Sequence, residues 1–187
     1  MAYFPMYMDM NDLKVLVVGA GYIATEKVEK LVDFTNKITI IAPEVKVEVE
    51  KLIETYDLRL YKKEYERGDI EGFDIVIVAT TKELQKDIYE ESRGRNILIN
   101  SVDNKAYCDF IFPSYIQKGY LSIAFSTAGA SPAFSKRLRK HIESSLPESV
   151  GEFLEKMNSL RTFLPKGKKR MQYFEKKVEK YFTQHFK

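Results

Sequence analysis

The sequence predicts an α/β fold, in which a doubly wound parallel sheet is followed by a part with a different pattern. Predicted strands alternate with predicted helices through residue 112, and several strands are continuous runs of valine and isoleucine. Such runs are typical of parallel strands that are buried on both faces. The connections also have the length of right-handed βαβ units. We therefore assign residues 1–112 to a parallel-sheet domain.

The individual elements follow from hydrophobic spacing and from Gly and Pro positions. In the first part, strands are expected at 13–18, 38–42, 58–61, 74–79 and 97–100, and helices at 24–34, 45–56 and 82–92. Residues 110–116 and 121–126, with a turn at Lys118 and Gly119, have the pattern of an antiparallel hairpin. Helices are expected at 133–145, 149–164 and 168–186.

Composition excludes several classes of protein. With 44% hydrophobic and 30% charged residues in 187, the chain is not a disordered tail, a collagen or a disulfide scaffold. A single cysteine, Cys108, allows neither an internal disulfide nor a cysteine-based zinc site, and it is consistent with a cytoplasmic protein. The start of the chain lacks the pattern of a signal peptide, and no stretch approaches the roughly 20 apolar residues of a membrane span. We expect no membrane association.

Charge is distributed unevenly along the chain. Residues 1–112 contain 15 Lys and Arg against 21 Asp and Glu, whereas residues 113–187 contain 15 against 6. The basic second part predicts a polyanionic partner, either nucleic acid or a polycarboxylate small molecule. A solvated, lysine-rich helical surface explains the same pattern.

A glycine-rich turn, Gly19-x-Gly21-x-x-Ala24, lies between the first strand and the first helix. The first glycine permits a tight turn, the second lets a pyrophosphate approach the backbone, and Ala24 allows close helix–strand packing. The free amides of Tyr22 and Ile23 would lie at the positive end of the helix dipole. This context predicts dinucleotide binding rather than a purely structural turn.

The end of the second strand determines the choice between NAD and NADP. Pro43 and Glu44 stand there, and a carboxylate binds ribose hydroxyls but repels a 2′-phosphate. The first nearby cation is Lys46. NAD is therefore favoured, although Glu44 could instead complement the dipole of the following helix.

Later strand ends supply the other candidate residues. Ala79, Thr80 and Thr81 follow the fourth strand and could line a cofactor, although Thr81 also suits a helix N-cap. After the fifth strand, Asn100 and Val102 precede Asp103. Partial desolvation would make Asp103 a usable general base, whereas the alternative is a loop aspartate in an Asx-turn.

A second loop, residues 126–132, precedes a basic helix. Ser131 before Pro132 is typical of a capped helix start, which is also an anion site. The expected substrate-binding residues are Ser126, Thr127, Gly129, Ser131, Lys136 and Arg137. A capped surface helix or a dimer contact are the alternatives. Neither histidine, at 141 or 185, has a partner at metal-ligand spacing, so no metal site is expected.

Three strings together resemble the precorrin-2 dehydrogenase family, which includes the N-terminal module of sirohaem synthase. They are Asn100-Ser-Val-Asp103, Tyr107-Cys-Asp-Phe-Ile-Phe-Pro-Ser114 and Ser126-Thr-Ala-Gly-Ala-Ser-Pro-Ala133. Tyr3–Tyr7 and Ile41–Glu44 also match, and the resemblance extends to about residue 160. Ser101 and Lys105 depart from the family pattern, which often has Val and Pro there.

The resemblance implies a Rossmann-type domain at 1–112, a small α+β dimerisation region at 113–147 and a helical domain at 148–187. It implies NAD-dependent oxidation of precorrin-2 to sirohydrochlorin in sirohaem biosynthesis, with Asp103 as the catalytic base. Fe²⁺ as a second substrate and a homodimer are implied as well. A basic second part matches a polycarboxylate tetrapyrrole.

Two other functions compete with this hypothesis. A regulatory NAD-sensing module would share the glycine loop but would not need the Asp103 motif or the loop at 126–132. A nucleic-acid-binding protein would use the basic second part alone. Because the motifs favour the dehydrogenase, we expect no nucleic-acid partner.

Overall fold

A computed structural model of the chain describes residues 3–186. It separates into two compact units with a boundary between Ile111 and Phe112. In the first unit the strands are β1 (Val15–Val18), β2 (Ile38–Ile41), β3 (Arg59–Tyr61), β4 (Ile75–Val78) and β5 (Leu98–Ser101). The helices are α1 (Tyr22–Leu31), α2 (Val47–Tyr56) and α3 (Lys82–Ser92), and a 3₁₀ helix spans Lys105–Tyr107.

The five strands form one parallel sheet in the order β3-β2-β1-β4-β5. This confirms the predicted doubly wound α/β fold. Strand order reverses between β1 and β4, and ligands in such sheets bind at the carboxyl ends of the strands beside that reversal. Both the glycine turn after β1 and the segment after β4 lie at this edge.

Burial explains why the β-branched runs form the centre of the sheet. Every residue of β1, β2 and β4 is buried. One face packs on a cluster that includes Leu16, Val76, Ile88 and Ile99. β3 is mostly exposed, as expected for an edge strand. Apolar burial on this scale stabilises the sheet and fixes its carboxyl edge as a rigid frame for the loops.

The second unit contains the antiparallel pair β6 (Ser114–Lys118) and β7 (Leu121–Phe125) and the helices α4 (Pro132–Ser145), α5 (Val150–Phe163) and α6 (Lys168–His185). α4 packs on both strands, and α5 packs on β7. The rings of Phe153 and Tyr181 stack at 4.0 Å and join α5 to α6.

The hairpin differs from the prediction in its first strand, which begins at Ser114 and not at residue 110. The reason is that the preceding residues pair with the first sheet instead. The Asp109 amide donates to the carbonyl of Ile99 at 2.8 Å, and Asn100 Nδ2 donates to the carbonyl of Phe110 at 2.9 Å. Pro113, which has no amide proton, separates these bonds from β6.

Candidate active site

The turn between β1 and α1 has two glycines with different roles. Gly19 has φ +102°, and a Cβ there would collide with the carbonyl oxygen of Ala79. A Cβ at Gly21 would meet no atom within 4 Å. Gly19 is therefore required by the fold, whereas the absence of a side chain at Gly21 keeps space open in front of α1. A pyrophosphate fits such a cradle.

The start of α1 is suited to an anion. Gly21 is its N-cap residue, no side chain caps it, and no acidic residue stands in the first turn. The first-turn amides of Tyr22, Ile23 and Ala24 thus lie at the positive end of the helix without a capping side chain. Ala24 is fully buried, which is the close packing expected of the third position in the motif. These residues fit a dinucleotide.

The segment after β2 lies against the glycine turn. The Gly19 amide donates to the carbonyl of Ile41 at 2.8 Å, and the Lys46 amide donates to the carbonyl of Ala20 at 3.2 Å. These bonds bring Pro43 and Glu44, both exposed, to the same edge of the sheet.

Glu44 precedes α2 in the chain and is not part of its first turn. That helix begins at Val47, after its N-cap residue Lys46, and carries its own first-turn acids, Glu48 and Glu50. Lys46 Nζ lies 3.0 Å from the ring centre of Tyr22, which places a cation next to the start of α1. Glu44 is thus an exposed carboxylate next to the glycine turn, and it lies outside α2.

The segment after β4 contacts the glycine turn directly. The Ala79 amide donates to the carbonyl of Val18 at 2.9 Å, and the Thr80 methyl group lies 3.2 Å from the Cβ position at Gly19. The hydroxyl of Thr80 is buried and has no hydrogen-bond partner among residues 3–186. Thr81 caps α3 by accepting a hydrogen bond from the Leu84 amide at 3.4 Å. The capping interpretation of Thr81 is correct, and a cofactor role would be additional.

Asp103 stands at the same edge, just beyond β5. The Val102 amide donates to the carbonyl of Val78 at 3.0 Å, and this bond fixes the start of the loop. Asp103 has a left-handed backbone, with φ +57°, and it is exposed. The desolvated environment expected of a general base is not present around the isolated residue.

Asn100 has a structural contact in addition to its expected cofactor role. It is buried, and its Nδ2 donates to the carbonyl of Phe110. Its Oδ1 and the hydroxyl of neighbouring Ser101 are buried without partners among the described residues. Val102, the other expected residue here, is 9% exposed. Acceptor and hydroxyl groups without partners thus collect at the carboxyl edge.

Cys108 packs inside the loop that carries Asp103. Its Sγ lies 3.2 Å from the Ser101 amide, which donates to it, and the thiol can donate to the carbonyls of Ser101 and Asn104 at 3.0 and 3.3 Å. Burial raises the pKa of Cys108 above its usual value, although the Ser101 amide and Lys27 oppose this. The residue therefore remains a thiol that shapes the loop.

Three residues that contact the loops of the site or the elements next to them were not predicted from the sequence. Gln85, in α3, donates from Nε2 to the carbonyls of Thr80 and Val102. Arg93 pairs with Asp109 below the loop. Lys27, in α1, has a pKa lowered by burial and by Lys30, while Glu26, Asp103 and Cys108 favour its charged form. No motif in the sequence marked these three positions.

The second unit contains the other predicted loop. Gly129 has φ +77°, and Ser131 caps α4 by accepting from the Phe134 amide at 3.2 Å. Thr127 Oγ1 accepts from the Ser131 amide at 3.1 Å, and Ser126 Oγ accepts from the Ala128 amide at 3.0 Å. These hydroxyls build the loop and its cap.

The basic side chains of α4 are not equivalent. Lys136 and Arg137 are exposed, whereas Arg139 is paired with Glu143 at 2.6 Å. Lys136 and Arg137 are thus the better candidates for binding an anion. Within residues 3–186 no cluster of three or more His, Cys, Asp or Glu residues could hold a metal ion. No helix in that range is both long and apolar enough to cross a membrane.

A family model described as putative NAD(P)-binding matches residues 6–114. The chain belongs to this NAD(P)-binding family. A second model, for the central part of sirohaem biosynthesis proteins, matches residues 118–145. The first match covers most of the first structural unit and extends three residues past its boundary, and the second match lies within the second unit.

Several curated proteins similar to this chain are named siroheme synthase. That of Pseudoalteromonas atlantica is 38% identical over 83% of this chain and 35% of its own length. That of Methylococcus capsulatus is 32% identical over 96% of this chain and 39% of its own length. The chain thus spans little more than a third of these relatives.

A solved structure described as SirC, precorrin-2 dehydrogenase, superposes with a TM-score of 0.79 and 26% identity. The superposition covers 91% of this chain and 86% of the chain in that structure. These findings confirm the resemblance to the precorrin-2 dehydrogenase family that the motifs indicated.

Proposed function

We propose that this chain oxidises precorrin-2 to sirohydrochlorin with NAD, and that Asp103 is the general base. The single observation that carries the proposal is the convergence of three segments at one sheet edge. The open glycine turn contacts Thr80, and Thr80 is joined through Gln85 to the residue before Asp103. The similarity to the precorrin-2 dehydrogenase SirC supports the same substrate.

The chemistry divides between the cofactor and the protein. NAD, when bound, supplies the acceptor for the hydride that leaves the macrocycle. The oxidation removes two hydrogens, one as that hydride and one as a proton, and Asp103 is placed to take the proton. Bound cofactor and macrocycle would exclude water from the exposed Asp103 carboxylate, which supplies the desolvation that the residue lacks on its own.

Cofactor binding would involve every segment predicted for it. The first-turn amides of α1 would hold the pyrophosphate, and Glu44 would accept from the adenosine ribose, which favours NAD over NADP. The segment 79–81, with Asn100 and Val102, would line the nicotinamide side. The unpartnered Asn100 Oδ1 and Thr80 hydroxyl support this, because buried polar atoms are usually hydrogen-bonded.

The substrate is a polycarboxylate, and the second unit carries the charge to bind it. We assign Lys136 and Arg137 to substrate carboxylates, with the loop of Ser126, Thr127, Gly129 and Ser131 at the start of α4. A homodimer, Fe²⁺ as a second substrate and a cytoplasmic location complete the proposal. The half-buried free thiol of Cys108 is consistent with a reducing compartment.

The direct test is anaerobic incubation of the purified chain with precorrin-2 and NAD⁺, followed by the absorbance of NADH and of sirohydrochlorin. Equal amounts of both products are expected, and Fe²⁺ added afterwards tests metal insertion. NAD binding without NADH formation would favour a sensor module instead. Salt-dependent DNA binding without NAD binding would favour a nucleic-acid-binding protein.

A further inference from the structure

Gln85 is a buried polar residue that no sequence motif singled out. It is only 4% exposed, and it lies in the first turns of α3. Its Nε2 donates to the carbonyl of Thr80 at 3.1 Å and to the carbonyl of Val102 at 3.1 Å. Since both partners are acceptors, the nitrogen end of the amide must face them. Both amide protons are thus used to join two loops.

The two carbonyls belong to neighbouring strand ends where the sheet's own hydrogen bonds stop. The last paired residues of β4 and β5 are Val78 and Ser101, and the Val102 amide makes one further bond to Val78. Beyond that point the two backbones are joined by the side chain of Gln85. This residue therefore extends the connection between the strands into the loops of the candidate active site.

Each carbonyl is next to a group with a proposed role. The Thr80 methyl group lies 3.2 Å from the position that a Cβ would take at Gly19, and the Val102 carbonyl belongs to the peptide that leads into Asp103. Asp103 has a left-handed backbone, so the orientation of this peptide sets the direction of its side chain. One amide group thus relates the cofactor turn to the proposed base.

We propose that Gln85 is a positioning residue that holds Asp103 in register with the cofactor. This inference rests on the proposed function and deepens it. In this role Gln85 acts through the two peptides that it holds and not on the cofactor or the substrate directly. Displacing a catalytic group by about 1 Å can lower a rate roughly 100-fold, so a small movement of this peptide is sufficient.

Two variants of Gln85 separate positioning from packing. Gln85→Leu removes both donors but keeps similar volume, and we expect kcat to fall about 10- to 100-fold while the Kd for NAD changes less than about threefold. Gln85→Glu faces the same carbonyls with a carboxylate, which cannot donate when ionised. When protonated, it donates one hydrogen bond.

The pH dependence of Gln85→Glu is the decisive measurement. Burial favours the protonated carboxyl, so the ratio of its kcat to that of the wild type should rise about tenfold between about pH 9 and pH 6. The same ratio for Gln85→Leu should stay flat. A residue that only packed would give flat ratios for both variants.

Glu91→Gln supplies a matched control on the same helix. Glu91 is 8% exposed and also makes two hydrogen bonds, with the Tyr65 hydroxyl and the Gly68 amide, both at 2.8 Å. We expect this variant to lower the unfolding midpoint as Gln85→Leu does, but to keep kcat within about threefold of the wild type.

The outcomes are distinguishable. Wild-type kcat in a folded Gln85→Leu chain, or a flat pH ratio for Gln85→Glu, would overturn the positioning role and leave the proposed function standing. If Gln85→Leu does not fold, the pH ratio of Gln85→Glu alone decides. A wild-type chain that binds NAD and forms no NADH from precorrin-2 would overturn both proposals together.

Discussion

Arg93 and Asp109 form a bidentate ion pair at the end of the loop that carries Asp103. Arg93 Nη1 donates to Oδ1 at 2.9 Å and Nη2 donates to Oδ2 at 2.8 Å. The same carboxylate accepts from the Ile99 amide at 2.8 Å. Because Ile99 lies in β5 and Arg93 follows α3, this carboxylate ties the far side of the loop to two rigid elements.

Asp109→Asn should therefore destabilise the chain in a pH-dependent way. Partial burial opposes ionisation, but Arg93 and the Ile99 amide hold the pKa of Asp109 below its usual value. A carboxyl group whose pKa is lower in the folded chain than in the unfolded chain stabilises the fold at pH values above its unfolded pKa of about 4. This stabilisation is lost as the pH falls through the folded pKa.

The expected loss at neutral pH is about 1–2 kcal/mol, moderated by the partial exposure of Arg93. Urea unfolding at pH 7 and near pH 3.5 measures it, and the difference from the wild type should shrink at the lower pH. A constant difference at both pH values would show that the ion pair contributes nothing.

The two glycines of the turn should respond oppositely to alanine. Gly19→Ala introduces a Cβ at a positive φ and against the Ala79 carbonyl, so it should cost about 1–3 kcal/mol of unfolding free energy. Gly21→Ala meets no protein atom and should leave stability within about 0.5 kcal/mol.

For NAD affinity, the substitution at Gly21 should have the larger direct effect, and the substitution at Gly19 the smaller one. Gly21→Ala should weaken NAD binding by at least about tenfold, and Gly21→Asp should abolish it, since the added atoms occupy the space of the pyrophosphate. Calorimetric titration of the folded variants measures this. Unchanged affinity in Gly21→Asp would mean that the turn is not the cofactor site.

Glu44 should determine the choice between NAD and NADP. Glu44→Gln removes the charge that would repel a 2′-phosphate, while Lys46 remains near the start of α1. We expect the ratio of NADP to NAD affinity to rise about 10-fold, with NAD binding weakened only modestly. Glu48→Gln, in the first turn of α2, is the control and should leave the ratio unchanged.

The protonated side chain of Lys27 should lower the free energy of unfolding at neutral pH. Burial lowers its pKa, so the unfolded chain binds more protons than the folded chain between the folded value and about 10.4. Stability of the wild type should therefore rise with pH in this window, and Lys27→Met should lack that rise. Urea unfolding at pH 7 and near pH 10 tests this, with the substitution of an exposed lysine of α2, Lys51→Met, as the control.

How far the sequence alone predicts this molecule depends on the kind of signal. The parallel sheet was predictable because the Val and Ile runs, such as 75–78, report burial on both faces. The glycine turn was predictable because its residue types answer steric demands at fixed spacing. The start of β6 was not, because the pairing of Asp109 and Asn100 with the first sheet depends on long-range contacts that no local pattern encodes.

The residues that support the site could not be predicted from the sequence either. Gln85 and Lys27 appear in the sequence as ordinary helix positions, and only the folded chain brings them to the loops after β4 and β5. Partial desolvation was the condition under which Asp103 could serve as a base, and the structure exposes the residue. Solvent exposure depends on the surrounding loops and bound ligands, which the spacing of residues along the chain does not specify.

The central claim is that Asp103 takes a proton during hydride transfer to NAD. Asp103→Asn keeps the shape of the side chain but removes the base, and it should be measured for NAD affinity and for single-turnover NADH formation from precorrin-2. The account predicts wild-type NAD affinity and a rate lower by about 10²- to 10⁴-fold. A wild-type rate in this variant would contradict it.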